Sequence, residues 1–162
     1  METVIHAAKQ AKEKGLIVLL NPAPARNLSD ELIRVVDYIV PNETELGLLS
    51  GKPVNDLASI EEAGRTLLSR GVKNIIVTLG EKGAMILNKE GIKLIPSFKV
   101  KVVDTTAAGD AFIGGMAVGL MNGKSLEDAV QYGCACGSLA VTKFGAQPSM
   151  PTLEEVNKLL TR

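Results

Sequence analysis

The chain has 162 residues, of which 46% are hydrophobic and 3% are aromatic, so a single domain with a substantial core is predicted over residues 1–162. The formal net charge of +0 argues against a nucleic-acid binder, which needs a basic surface to offset phosphate charge. The sequence has neither an apolar signal-peptide core nor a run of roughly 20 apolar residues, so no membrane partner is expected. Cys134 and Cys136 are interpreted as reduced thiols in a buried helix, which favours a cytoplasmic location.

Helices and apolar strands alternate through the first half of the chain. A helix is predicted over Met1–Lys14 and ends at Gly15, and the apolar run Leu16–Leu20 is typical of a strand buried on both faces. After the proline-containing loop 21–27, the predicted elements are a helix capped by Ser29, a strand at Tyr38–Val40, a helix at Glu43–Ser50, a helix opened by a Ser59–Glu62 capping box and a strand at Asn74–Leu79. This alternation predicts an α/β layered fold with a mainly parallel central sheet flanked by helices.

The second half begins with a predicted hairpin, in which Ala84–Leu87 and Ile92–Ile95 flank a polar turn. The elements predicted after it are a strand at Val100–Val103, a helix from Ala108 to about Asn122, a helix capped by Ser125 that runs to about Lys143, and a C-terminal helix opened by a Thr152–Glu155 capping box.

The segment from Val103 to Phe112 is the most informative part of the sequence, because a predicted strand leads through small residues into a helix. The first N–H groups of a helix have no internal partner, and the positive end of the helix dipole lies behind them. Ala107, Ala108 and Gly109 carry almost no side chain, so an anion can approach their amides closely. The segment therefore predicts a phosphate-binding helix start.

Asp110 follows these small residues and places a carboxylate beside the predicted anion site. In the first helical turn it could accept a proton from an attacking hydroxyl while the amides stabilise a transferring phosphoryl group. The alternative is that Asp110 only favours the helix start through the dipole. Spacing alone leaves both interpretations open.

Asp104–Asp110 resembles the second signature of the ribokinase-like (PfkB) carbohydrate kinases, Asp-Thr-x-Gly/Ala-Ala-Gly-Asp. Four further segments resemble family motifs and occur in the family's order: Asn21–Arg26, Pro41–Glu45, Thr78–Gly83 and Gly145–Ser149. Each motif is weak alone, but together they extend over nearly the whole chain.

A Walker A motif is excluded around Gly123-Lys124-Ser125, because Val118 occupies the position of its first glycine.

The resemblance implies a role for each matching residue. Asp110 is implied to be the catalytic base, with the amides of Ala107, Ala108, Gly109 and Asp110 as the anion hole. The residues implied to contact the nucleotide are Asn42, Glu45, Thr78, Gly80, Glu81, Gly83, Gly109 and Cys134, the last near the adenine. Glu45 is also implied to organise Mg²⁺ through water. The ligands implied for a monovalent cation, K⁺, are Asp104, Thr106, Ala140, Lys143, Gly145 and Ser149.

The implied reaction is transfer of the γ-phosphoryl group of ATP to the primary hydroxyl of D-ribose, since Asn21–Arg26 and Gly145–Ser149 resemble ribokinase-type segments. Family members are roughly twice this length, and the half that carries the lid and most sugar contacts is not visible in the sequence. Two alternatives stay open: another kinase of the family, acting on fructose or a nucleoside, or a catalytically incompetent fragment that forms a homodimer. A Rossmann dinucleotide binder is disfavoured, because no G-x-G-x-x-G motif follows a strand.

Overall fold

The computed structural model describes residues 1–161, which form seven α-helices and five β-strands. The helices are α1 (Glu2–Glu13), α2 (Asp30–Val35), α3 (Glu43–Ser50), α4 (Leu57–Ser69), α5 (Ala108–Met121), α6 (Leu126–Ala140) and α7 (Leu153–Leu160). The strands are β1 (Leu19–Leu20), β2 (Tyr38–Ile39), β3 (Asn74–Thr78), β4 (Ala84–Asn88) and β5 (Gly91–Ile95). None of the helices described has the length and apolarity needed to cross a bilayer.

The five strands form one sheet in the order β1-β2-β3-β4-β5. The β1–β2 and β2–β3 pairs are parallel, with Leu19 opposite Tyr38 and Tyr38 opposite Asn74. A two-residue turn joins β4 to β5, as the hairpin prediction requires. The predicted α/β fold with a helix-flanked sheet is therefore confirmed, and the sheet is a mixed one that is parallel at its start.

The described chain separates into two compact units, each with its own core. Unit 1 comprises Met1–Thr78 and Met85–Lys93, and its fully buried side chains include Leu32, Ile39, Leu46, Ile60, Leu67, Ile75, Ile76 and Leu87. Unit 2 comprises Leu79–Ala84 and the described residues from Leu94 onwards, and its core cluster contains Ala111, Tyr132, Ala135, Cys136, Ala140, Val156 and Leu159. The single domain predicted over residues 1–162 stays a prediction.

Helix α5 packs closely against α6 in unit 2, and this contact holds the start of α5 in place. A Cβ on Gly115 would lie 2.5 Å from the Cys136 Sγ, and a Cβ on Gly133 would lie 2.8 Å from the Phe112 carbonyl oxygen. Both distances are shorter than any ordinary van der Waals contact, so a larger residue at either position forces the helices apart. The small residues of 133–140 therefore allow α6 to pack closely against α5.

Several helix starts follow the predicted capping residues. The Ser29 Oγ accepts a hydrogen bond from the Leu32 N–H, and the Ser125 Oγ accepts one from the Asp128 N–H. Thr152 and Glu155 form the predicted reciprocal capping box at α7. The prediction of a Ser59–Glu62 capping box was wrong, because Asp56 caps α4 and Ser59 is its reciprocal partner inside the first turn. Aspartate is an equally good N-cap, and it stands three residues earlier in the chain.

Two predicted strands also differ from the structure. Only Leu19–Leu20 of the apolar run forms a strand, and Leu16 and Ile17 are each 55% exposed, so the run is not buried on both faces. Residues 100–103 form no strand. The Val103 N–H instead donates to the Val141 carbonyl at 2.7 Å, so one contact with the end of α6 replaces a strand ladder.

Candidate active site

The start of α5, in unit 2, has an unusual backbone. Ala107 precedes the helix with φ 59° and ψ 14°, and it is the one non-glycine residue with positive φ in the described chain. This left-handed conformation costs an alanine roughly 1–2 kcal/mol. No side chain caps the helix start among the residues described, and a Cβ on Gly109 would meet no atom within 4 Å. The first turn of α5 is thus uncapped and open beside Gly109.

The amides of this first turn are unequally available. The Ala108 N–H donates to the Thr105 carbonyl at 3.3 Å, and the Ala111 N–H donates to the Ala107 carbonyl at 2.9 Å. Gly109 and Asp110 therefore hold the N–H groups that helical geometry leaves without an acceptor. The positive end of the helix dipole adds to their affinity for an anion. The side chain of Asp110 is exposed in the same turn, where it can accept a proton.

Asp104 organises the loop before this helix. Its Oδ1 accepts hydrogen bonds from the Thr106 N–H at 2.9 Å and the Thr106 hydroxyl at 2.7 Å, and its Oδ2 accepts one from the Gly145 N–H at 2.9 Å. The hydrogen bond from Gly145, followed by those from Thr106, holds the pKa of Asp104 below its ordinary value. The structure thus brings together three residues of the predicted cation set.

Of the other residues of that set, Ala140 is the last residue of α6, and Lys143 and Ser149 lie on the segment that follows it. The Lys143 N–H donates to the Ala140 carbonyl at 3.2 Å, and the fully buried Ser149 donates its hydroxyl to the Ala146 carbonyl at 2.6 Å. The described residues contain no group of three or more His, Cys, Asp or Glu side chains that could hold a metal ion. The predicted cation set contains one carboxylate, that of Asp104, and this composition suits a monovalent cation, since a divalent ion usually takes more anionic ligands.

Three residues of the predicted nucleotide set belong to unit 1. The Asn42 Oδ1 accepts the Glu45 N–H at 2.8 Å, and the Glu45 Oε2 accepts the Asn42 N–H at 2.8 Å, so the Asn-x-x-Glu motif is the capping box of α3. Asn42 also forms a parallel bridge with Thr78. The Asn42 side-chain NH₂ group and the Glu45 Oε1 take no part in the box. Glu45 can therefore face a hydrated Mg²⁺, which keeps several waters and needs few protein ligands.

The predicted nucleotide loop continues in unit 2 as a short 3₁₀ turn, Gly80–Lys82. Gly80 has φ 58°, and a Cβ there would meet no atom within 4 Å, so its backbone is open to close approach. Gly83 is different, because a Cβ there would lie 2.0 Å from the Ile95 carbonyl oxygen. Packing against the residue at the end of β5 accounts for Gly83, whereas Gly80 and the exposed Glu81 stay available to a ligand.

Cys134 lies in α6 and is 4% exposed. Burial raises the pKa of its thiol to about 12, so it is uncharged at neutral pH. Its contact with an adenine stays a prediction. Sequence reasoning missed Val141, whose carbonyl accepts the Val103 and Asp104 N–H groups, and Glu155, whose carboxylate pairs with Lys143. The Thr152–Glu155 capping-box pattern was the one available signal for Glu155.

Comparison with known proteins agrees with this arrangement of motifs. The family model of the pfkB family carbohydrate kinases matches residues 1–153. The chain belongs to this family. The resemblance that Asp104–Asp110 and the other four motifs carry is confirmed, and the matched range includes every predicted site residue.

Two curated relatives and one solved structure show how far the family match extends. A ribokinase of Haemophilus influenzae is 44% identical over 95% of this chain and 50% of its own length. A deoxyribokinase of Salmonella typhi is 43% identical over 99% of this chain and 53% of its own length. The structure of Arabidopsis thaliana ribokinase complexed with ribose and ATP matches with a TM-score of 0.94 and 36% identity, over 99% of this chain and 52% of that one. The chain spans about half the length of these relatives.

Proposed function

We propose that this chain supplies the nucleotide-binding and catalytic part of an ATP-dependent kinase that converts D-ribose to ribose 5-phosphate. The observation that carries the proposal is the exposed Asp110 in the first turn of an uncapped helix, beside the open Gly109. The relative in Haemophilus influenzae is a ribokinase, and the Arabidopsis thaliana ribokinase binds ribose and ATP, which supports both substrates. The buried, unpaired thiols of Cys134 and Cys136 support a cytoplasmic location.

In the proposed mechanism, Asp110 accepts the proton of the primary hydroxyl of ribose. The hydroxyl oxygen forms a bond to the γ-phosphorus as the bond between that phosphorus and the β,γ-bridging oxygen breaks, and ADP leaves with the bond electrons. The N–H groups of Gly109 and Asp110 stabilise the charge on the transferring phosphoryl oxygens. Mg²⁺, held through water by Glu45, would neutralise charge on the nucleotide phosphates.

We further propose that K⁺ is held by the Asp104 carboxylate and by oxygens of Thr106, Ala140, Lys143, Gly145 and Ser149. The Asp104 hydrogen bonds to Thr106 and Gly145 support this, because they fix the carboxylate and the loop that leads into Ala107. A cation there would fix the loop further and so keep the anion-binding amides in position. The cation would thus position the anion-binding amides and take no part in the reaction itself, since its ligands are not the reacting groups.

Calorimetric titration with ATP in the presence of Mg²⁺ and K⁺, combined with a ribose-dependent assay of ADP release, tests this function. We expect weak saturable ATP binding and slow turnover, because most of the sugar contacts implied by the family lie outside this chain. Asp110→Asn removes the base but not the amides, so turnover is expected to fall by about 10²–10⁴-fold with little change in ATP affinity. Equal turnover in both proteins, or no ATP binding by the folded chain, would contradict the proposal.

The sugar itself is tested by substrate competition. A deoxyribokinase is nearly as similar to this chain as the ribokinase, so the two pentoses need direct comparison. We expect the rate of ADP release, at equal sugar concentration, to be highest with D-ribose, followed by 2-deoxyribose and then fructose. A faster reaction with 2-deoxyribose or fructose would assign the chain to another kinase of the family.

A second candidate behaviour, self-association as a homodimer, has an observation of its own. Strand β1 lies at one end of the sheet order, and the adjoining Leu16 and Ile17 are each 55% exposed. An edge strand that is preceded by exposed apolar residues favours pairing with another chain. Light scattering after size-exclusion chromatography should then detect a dimer that Ile17→Lys converts to a monomer. A monomeric wild-type chain would exclude this behaviour.

A further inference from the structure

An ion pair closes the loop that carries two of the proposed cation ligands. The Lys143 Nζ lies 2.8 Å from the Glu155 Oε1, and the two side chains are 37% and 38% exposed. The pair joins residues 12 apart in sequence, and the enclosed segment contains Gly145 and Ser149. An exposed pair of this kind contributes little to global stability. Any effect of the pair is therefore expected in the position of the loop it closes.

Glu155 is held firmly on the α7 side of this pair. Its second oxygen, Oε2, accepts the Thr152 N–H at 2.8 Å and the Thr152 hydroxyl at 3.2 Å. Helix α7 is itself anchored, because Val156 and Leu159 are buried in the core of unit 2. The hydrogen bond from Lys143, followed by that from Thr152, lowers the pKa of Glu155, so the carboxylate stays charged at neutral pH.

On the other side, Lys143 stands where the loop leaves α6. Its N–H donates to the Ala140 carbonyl, and two residues later the Gly145 N–H donates to Asp104 at 2.9 Å. The backbone of Lys143 thus lies between the end of α6 and the contact that reaches the loop before α5. Its side chain connects this backbone to α7 through Glu155.

From these contacts we infer that Glu155 is a positioning residue for the cation loop, acting through Lys143 on the backbone of residues 143–149. The pair sets where the carbonyls of Lys143 and Gly145 lie and supports the Gly145–Asp104 hydrogen bond. The positioning itself stands on the contacts alone. Only its consequence for K⁺ rests on the proposed function.

Hydrogen exchange of the Gly145 amide, measured by NMR without added K⁺, tests the positioning directly. Glu155→Gln keeps a side chain that can complete the α7 capping box but removes the charge that holds Lys143. Lys143→Met removes the pair from the other side. Both variants are expected to raise the exchange rate of the Gly145 amide by about threefold to fivefold. Lys143→Arg keeps the positive charge and is expected to exchange at the wild-type rate.

Thr152→Ala is the matched control, because it weakens the same capping box while leaving the ion pair in place. It is expected to lower the thermal midpoint without changing exchange at Gly145. If Glu155→Gln and Thr152→Ala change the Gly145 exchange equally, Glu155 serves only as a helix cap and the inference is overturned. Unchanged exchange in both ion-pair variants overturns it as well.

The thermal midpoints of the wild type and Glu155→Gln in the presence of K⁺ test whether this positioning affects cation binding. The thermal midpoint of the wild type should rise more in KCl than in LiCl at equal ionic strength, and Glu155→Gln should need a severalfold higher K⁺ concentration for half of that rise. If the wild type shows the K⁺-specific rise but Glu155→Gln needs no higher K⁺ concentration, Glu155 does not act on the cation. If the wild type shows no K⁺-specific rise, the proposed cation site is wrong, and exchange at Gly145 alone decides the positioning role.

Discussion

The first turns of α3 and α5 differ in whether side chains satisfy their free N–H groups. Both helices begin at a motif typical of the family, and both have first-turn N–H groups without intrahelical acceptors. At α3, the side chains of Asn42 and Glu45 satisfy two of these groups reciprocally with two bonds of 2.8 Å. At α5, a left-handed Ala107 offers no side-chain oxygen, and Gly109 leaves the space beside the amides open. A capped start stabilises the fold, whereas an uncapped start keeps its donors for a ligand.

Among the changes that test this comparison of the two helix starts, closing the open start of α5 should have the largest effect. Gly109→Val should weaken ATP binding by about tenfold or more, which corresponds to about 1.4 kcal/mol, because its methyl groups block approach to the amides. Gly114→Val is the matched control, since it lies on the same helix and a Cβ there also meets no atom within 4 Å. Calorimetric titration of both variants checks this, and equal affinity would show that the α5 amides do not bind the nucleotide.

Opening the capped start should cost stability. Asn42→Ala removes the side-chain acceptor at α3 and is expected to lower the free energy of unfolding by about 1 kcal/mol. Glu45→Gln keeps an oxygen that can complete the box, so its effect should be much smaller. Urea denaturation measures both values. An Asn42→Ala variant as stable as the wild type would mean that the box contributes nothing to the fold.

The loop before α5 should be sensitive to acid. The pKa of Asp104 is lower in the folded chain than in the unfolded chain. Its hydrogen bonds therefore stabilise the fold fully above the ordinary pKa of an aspartate, about 3.9. This stabilisation is lost as the pH falls through the pKa that Asp104 has in the folded chain. The thermal midpoint should therefore fall more steeply below about pH 4 in the wild type than in Asp104→Asn. Parallel curves for the two proteins would refute this role of Asp104.

The smallest effect should come from relieving the backbone at Ala107. Glycine adopts positive φ without the penalty of roughly 1–2 kcal/mol, but it loses about 0.5–1 kcal/mol through unfolded-state entropy. Ala107→Gly should therefore raise the free energy of unfolding by about 0.5 kcal/mol. Ala108→Gly, one residue further into the helix, has no strain to relieve and should lower it. A loss of stability in both variants would argue that Ala107 is unstrained.

Local signals in the sequence predicted local structure well. Ser29, Ser125 and the Thr152–Glu155 pair act within four residues of themselves, so their capping roles could be predicted from spacing alone. The capping box at α4 was misplaced because two acceptable N-cap residues, Asp56 and Ser59, stand one turn apart. Only the three-dimensional path of the chain decides between them.

Properties that depend on distant partners could not be predicted in this way. The exposure of Leu16 and Ile17 depends on which elements cover them, and an apolar run carries no such information. The Asp104 contact with Gly145 joins residues 41 apart, and only the family resemblance suggested that the two belong together. Asp110 was found from its motif, whereas the left-handed Ala107 and the bonded Ala108 amide required coordinates.

The burial of the two thiols also makes the chain a convenient spectroscopic scaffold. Burial raises the pKa of Cys134 to about 12 and that of Cys136 to about 11, so both thiols are protonated and unreactive at pH 7. Maleimide dyes should therefore leave both residues unlabelled. A cysteine introduced at the 77% exposed Phe144 would then carry the only maleimide dye, between Lys143 and Gly145. Ion binding at that loop could be followed by its emission without removing any native cysteine.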